Sequence, residues 1–65
     1  MPVVKWSIDD VCDLVNELAH ARRNHIPVTV VPFEMMPQEP DMQRLVNCIT
    51  KLQALHNQEV EACHP

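Results

Sequence analysis

The sequence predicts an all-α protein: a two-helix hairpin with a long proline-rich connection, dimerising into a four-helix bundle. Three observations carry that expectation. Apolar residues recur at helical spacing over two segments, about residues 8–24 and 41–62. Four of the chain's six prolines fall in the stretch between them, residues 26–40. Each helical segment also offers an apolar arc of about 180°, wider than a single neighbour covers.

The first helix is announced by its start signals. Ser7 is an N-cap candidate and Asp10 follows three residues later, a variant of the capping box. Trp6 before the cap and Val11 inside the first turns form a hydrophobic staple. Asp9, Asp10 and Asp13 favour the positive end of the helix dipole, and His20, Arg22, Arg23 and His25 the negative end. Asn24 is suited to the left-handed conformation that ends a helix, and Pro27 prevents continuation. The apolar arc comprises Ile8, Val11, Cys12, Leu14, Val15, Leu18, Ala19 and Ala21.

The second helix starts near Pro40, a residue suited to the first helical position, with Glu39 and Asp41 beside it. Met42, Leu45, Val46, Cys48, Ile49, Leu52, Leu55, Val60 and Cys63 fill its arc. Gln43, Asn47, Thr50, Lys51, Asn57, Gln58 and Glu61 mark the opposite face.

Between the helices, the prolines at 27, 32, 37 and 40 forbid helix and favour extended chain. Val28, Val30 and Val31 suit a short strand, but a strand needs an edge to pair with. Phe33, Met35 and Met36 are too apolar for a solvated linker, so they fold back over the helices or form a contact surface. A connection of ~15 extended residues spans either helix length, so parallel and antiparallel pairing both remain open.

Size sharpens the need for a partner. The chain has 65 residues, and a domain of that size buries only about 60% of its unfolded surface. Two helices share one interface while each has about half its circumference to bury, so a homodimer or higher homo-oligomer is the economical solution. The expected dimer core is Val11, Val15, Leu18, Leu45, Ile49 and Leu52.

Charge and motif content narrow the function classes. Asp and Glu outnumber Lys and Arg by 9 to 5, which disfavours nucleic acid and anionic membranes as partners. No apolar run approaches the ~20 residues of a membrane span. The opening MPVVKWSIDD lacks a secretory pattern, so the expected location is cytoplasmic. The chain contains no glycine, which removes the glycine-dependent phosphate loop, the dinucleotide fingerprint and the nucleophile elbow. No feature calls for a cofactor or an enzyme.

The three cysteines, Cys12, Cys48 and Cys63, are expected as reduced thiols acting as small buried hydrophobes. Metal-ligand spacing of the C-x-x-C or H-x-x-x-H kind is missing. In an antiparallel hairpin Cys12, His56, Cys63 and His64 are the residues that could meet as ligands. Arg22 and His56 fall inside the apolar arcs of their helices. Each is read as a side chain reaching water near a helix end, as a polar contact at a dimer seam, or as a site for an acidic partner.

WSIDDVCDLV looks like the opening of a SAM domain, but the further short helices and the glycine of that family are missing. The segments VKWSIDDVCDLVNELAHARR and DMQRLVNCITKLQALHN, with the small size and helical-hairpin character, resemble the small early proteins of the exo–xis region of lambdoid bacteriophages. That resemblance implies a compact helical dimer in the host cytoplasm, acting on host growth or the lysis–lysogeny decision through protein contacts.

The functional expectation is a non-enzymatic regulatory interaction module that pairs with itself and binds a host or cellular protein. Phe33, Met35 and Met36 with Arg22 and Arg23 form the expected partner surface. The alternative is a small DNA-associated or zinc-binding transcriptional regulator. A ribbon-helix-helix or helix-turn-helix arrangement is disfavoured by the long crossing, since those families join their helices by a tight turn.

Overall fold

The structure, a computed structural model, describes residues 5–63. The cover expected from Val3 and Val4 and the candidate ligand His64 lie outside that range. Helix α1 spans Ile8–Asn24 and helix α2 spans Pro40–Cys63. An extended strap joins them, interrupted only by a 3₁₀ turn at Phe33–Met35. The fold among the described residues is all-helical, as the sequence predicts.

The capping box at the start of α1 is fully formed. The Ser7 hydroxyl accepts from the Asp10 backbone N–H at 3.3 Å, and the Asp10 carboxylate accepts from the Ser7 backbone N–H at 2.8 Å. Two otherwise unpaired donors are satisfied at once. At the other end the left-handed residue is His25 (φ 55°), one position later than the sequence suggests. Asn24 stays helical because its side-chain amide donates to the His20 carbonyl at 2.8 Å, closing the last turn instead. The N–H groups of His25 and Ile26 both return to the Ala21 carbonyl, and Pro27 then sends the chain away extended.

The strap runs back the whole length of α1, so the two helices point the same way. At one end Trp6 donates its indole N–H to the Met35 carbonyl at 2.6 Å and packs with Met36 and Met42 on the core. At the other end Arg22 meets Glu59 at 3.2 Å. Start lies with start and finish with finish, which settles as parallel the pairing that the sequence left open.

Three side chains of α2 fasten the strap. The Asn57 amide accepts from the Val28 N–H and donates to the Val28 carbonyl, both at 2.8 Å. Gln53 accepts from the Val31 N–H at 3.2 Å, and the His56 imidazole Nε2 lies 2.6 Å from the Ile26 carbonyl. Val28 to Val31 therefore do not form a strand. Side-chain amides supply the pairing that a sheet edge would give, which answers the backbone groups that proline-rich chain leaves open. The contacts descend α2 as the strap advances, from His56 and Asn57 down to Gln53.

The core is small and lies where three layers meet. Val11 of α1, Val31 of the strap and Val46 and Ile49 of α2 form its buried centre, with Trp6, Leu14, Met36 and Met42 packed around them. Ala21 and Val60 are buried further along. Burying one such aliphatic side chain contributes about 1.5–3 kcal/mol, so six buried apolar residues give a slender core for an all-helical chain. The buried row of α2, Val46, Ile49, Gln53, His56 and Val60, is partly polar because it serves the strap as well as α1.

Candidate functional site: an uncovered helical face

Both helices split their apolar arcs into a buried row and an exposed one. On α1 the exposed residues each follow an inward-facing one: Cys12 after Val11, Val15 after Leu14, Ala19 after Leu18. On α2 they each precede one: Leu45 before Val46, Cys48 before Ile49, Leu52 before Gln53, Leu55 before His56. One residue is a turn of about 100° around a helix. The two exposed rows are thus rotated off the core in opposite senses. In helices that run the same way, opposite rotations carry both rows to one side of the pair.

The strap occupies the other side. Asp10, Asp13, Glu17 and His20, which each precede an inward residue of α1, line clefts of ≈ 460 and ≈ 290 Å³ together with strap residues such as Pro27, Val28 and Met35. The groove between the helices is therefore filled on one side and bare on the other. Leu52 and Leu55 are each 54% exposed and Ile8, at the start of the α1 row, 63%.

The Arg22–Glu59 pair sets the register of this bare face. Arg22 continues the α1 row three residues past Ala19, and Glu59 continues the α2 row four past Leu55. Counting back in steps of three and four places Ala19 level with Leu55, Val15 with Leu52, Cys12 with Cys48 and Ile8 with Leu45. Four apolar layers are closed at one end by an ion pair. The pair is well exposed and adds little to stability, but it matches the charges at that end of the row, while Asp41 continues the α2 row at the other end, four residues before Leu45.

The residues expected as a dimer core divide across this geometry. Val11 and Ile49 lie in the chain's own core, and Leu18 is half-buried facing inward. Val15, Leu45 and Leu52 belong to the bare face. Ile8, Cys12, Ala19, Cys48 and Leu55 complete it. The expectation that the cysteines are buried is corrected: Cys12, Cys48 and Cys63 are unbonded and exposed, because they stand on helix faces that the intramolecular core does not use.

The expected partner surface divides as well. Phe33 is 86% exposed at the tip of the 3₁₀ turn, whereas Met36 packs on the core and Met35 supplies the carbonyl that Trp6 grips. Arg23 is exposed, and Arg22 is held by Glu59. Of the candidate metal ligands, Cys12 stands in the first half of α1 while His56 and Cys63 stand near the far end of α2. Parallel helices keep them apart, so the meeting expected of an antiparallel hairpin does not occur. Among the described residues no three His, Cys, Asp or Glu side chains are grouped to hold a metal.

His56 is 2% exposed and reaches neither water nor a seam; it positions the strap at Ile26. Gln53 is 0% exposed and was missed by apolar periodicity, as was the structural role of Asn57. A signal for them does exist. Gln53 falls between Ile49 and Val60 at core spacing, and a proline-rich segment with unpaired backbone groups needs amides to meet it.

No helix among the described residues is long and apolar enough to cross a membrane. Comparison with protein-family models, with curated proteins and with solved structures finds no match.

Proposed function

We propose that this chain is a non-enzymatic protein-interaction module whose working surface is the bare face of α1 and α2. One observation carries the reading: two apolar rows, uncharged from Ile8 to Ala19 and from Leu45 to Leu55, stand side by side with none of the other described residues over them. Contiguous apolar patches mark contact sites in proteins of this size. The occupant such a groove suits is an apolar helical face, laid in at three- and four-residue spacing. Regulation of a host or cellular process through such contacts is the role that the likeness to early phage proteins implies. Phe33, standing free at the opposite edge of the molecule's core, is a second point of contact.

A photo-crosslinking amino acid placed at position 52, on the bare face, tests the reading in living bacterial cells against the same group at position 61, on the opposite side of α2. Covalent protein adducts at 52 and not at 61 are expected. Equal or absent adducts at both positions overturn the reading.

A further inference from the structure

We infer that the occupant of the bare face is a second copy of this chain, related by a two-fold axis parallel to the helices, so that α1 of each copy lies on α2 of the other and Cys12 faces the partner copy's Cys48. The inference rests on the reading of that face as a contact surface and adds the partner and the symmetry.

Side-chain size selects the arrangement. The α1 row is small beyond its first residue, with Cys12, Val15 and Ala19, and the α2 row is large except at Cys48, with Leu45, Leu52 and Leu55. Interfaces fill evenly when large residues oppose small ones. With the axis along the helices, Val15 meets the partner's Leu52 and Ala19 the partner's Leu55, so a large residue opposes a smaller one in both layers, while Ile8 with Leu45 makes a large layer and Cys12 with Cys48 a small one. With the axis across the helices, α2 lies on α2 and α1 on α1. Leucines then crowd one half of the interface and the other half is left with voids.

Charge agrees with the same choice. The outer flank of the α1 row is Asp9, Asn16 and Arg23, and that of the α2 row is Arg44, Lys51 and Gln58, all exposed. In the register set by Arg22 and Glu59, Asp9 lies beside the partner's Arg44 and no like charges oppose. The crossed alternative sets Lys51 near the partner's Lys51. At the Arg22 end of the row the charged pair is already matched inside each chain, so self-pairing buries no lone charge there, and Asp41, which continues the α2 row at the other end, stands in the first turn of α2 where the helix dipole favours it.

The exposed area leaves room for a second copy. The chain exposes 5187 Å², whereas a compact monomer of its mass exposes roughly 4200 Å². Part of the excess belongs to its elongated form, 43 × 19 × 19 Å. The whole excess, roughly 1000 Å², is an upper bound that lies close to the area one partner contributes to a standard interface, about 800 Å².

Two variants of the whole chain test the proposal, Cys12→Ser and Cys48→Ser, each also carrying Cys63→Ser so that a single thiol remains. A short bismaleimide joins two thiols that face each other. Neither variant alone is expected to yield much covalent dimer. An equal mixture, after exchange of subunits, is expected to yield it in up to about half of the chains, the statistical share of mixed pairs. Linkage in one variant alone that equals the mixture overturns the symmetry. A mass of one chain by light scattering of the unmodified protein at about 100 μM, where mass action favours assembly, overturns the second copy as occupant. Neither result touches the reading of the face itself, which fails when position 52 captures nothing in cells or no more than position 61 does.

Discussion

Asn57 grips Val28 by both backbone polar groups, accepting from its N–H and donating to its carbonyl at 2.8 Å each. A single side chain thereby does what a neighbouring strand does for a residue in a sheet. Asn57→Leu is expected to destabilise the chain by about 1–3 kcal/mol, because two part-buried backbone groups lose their partner. Urea denaturation gives the free energy. Amide exchange at Val28 locates the loss, and slow exchange there in the variant contradicts the role.

Gln53 offers a contrast. Its Oε1 accepts from Val31, but its Nε2 is buried with no partner. Gln53→Leu loses one hydrogen bond and also removes an unpaired buried donor, terms of opposite sign and similar size, each about 1–2 kcal/mol. The variant is expected to cost less than Asn57→Leu by the same denaturation measurement. A larger cost than at Asn57 refutes this accounting.

Val46 and Leu52 stand on adjacent sides of α2, one fully buried and the other open. Val46→Asp is expected to abolish the cooperative melt, since an isolated buried carboxylate costs several kcal/mol. Leu52→Asp is expected to keep the helical circular dichroism of the monomer while losing association at the bare face. Light scattering beside circular dichroism separates the two effects. Loss of helix in both variants means that α2 has no stable monomeric form.

The capping box at Ser7 and Asp10 contributes locally. Ser7→Ala removes the side-chain acceptor and is expected to cost about 1 kcal/mol, a fall in Tm of roughly 4–8 °C for a domain of this size. A thermal melt checks it, and an unchanged Tm shows that tertiary packing alone sets the start of α1.

Phe33 and Met36 lie three residues apart on the strap with different duties. Met36→Ser is expected to lower stability, because Met36 packs against the core. Phe33→Ser is expected to change stability by less than about 0.5 kcal/mol, because its ring is almost wholly in solvent. If the turn is a contact point, Phe33→Ser also removes the adducts formed by a photo-crosslinker at the neighbouring position 34. A destabilised Phe33→Ser identifies it as a cap.

Helix placement was legible from residues 7 to 63 because its causes are local. Ser7 and Asp10 pair three residues apart, Pro27 blocks continuation, and Pro40 suits a first turn. The division of each apolar arc was not legible, because it depends on where the strap lies. Val11 and Cys12 are equally apolar neighbours, and only the third layer decides which is buried. Helix direction was hidden for the same reason, since a connector long enough to return permits either sense. The duty of Gln53, His56 and Asn57 escaped apolar counting because their partners are backbone groups some 22–30 residues away.

The parallel course of the two helices has a kinetic consequence. A helical hairpin closes from its turn outward, each new contact lengthening the loop only slightly. Here the indole of Trp6 reaches across 29 residues, and Arg22 reaches across 37 to Glu59. Every tertiary contact at either end must close a long loop before any reward arrives. Refolding of this all-helical chain should therefore resemble that of a small β-protein in rate, with no early half-assembled stage in which one pair of turns is zipped and the rest is free.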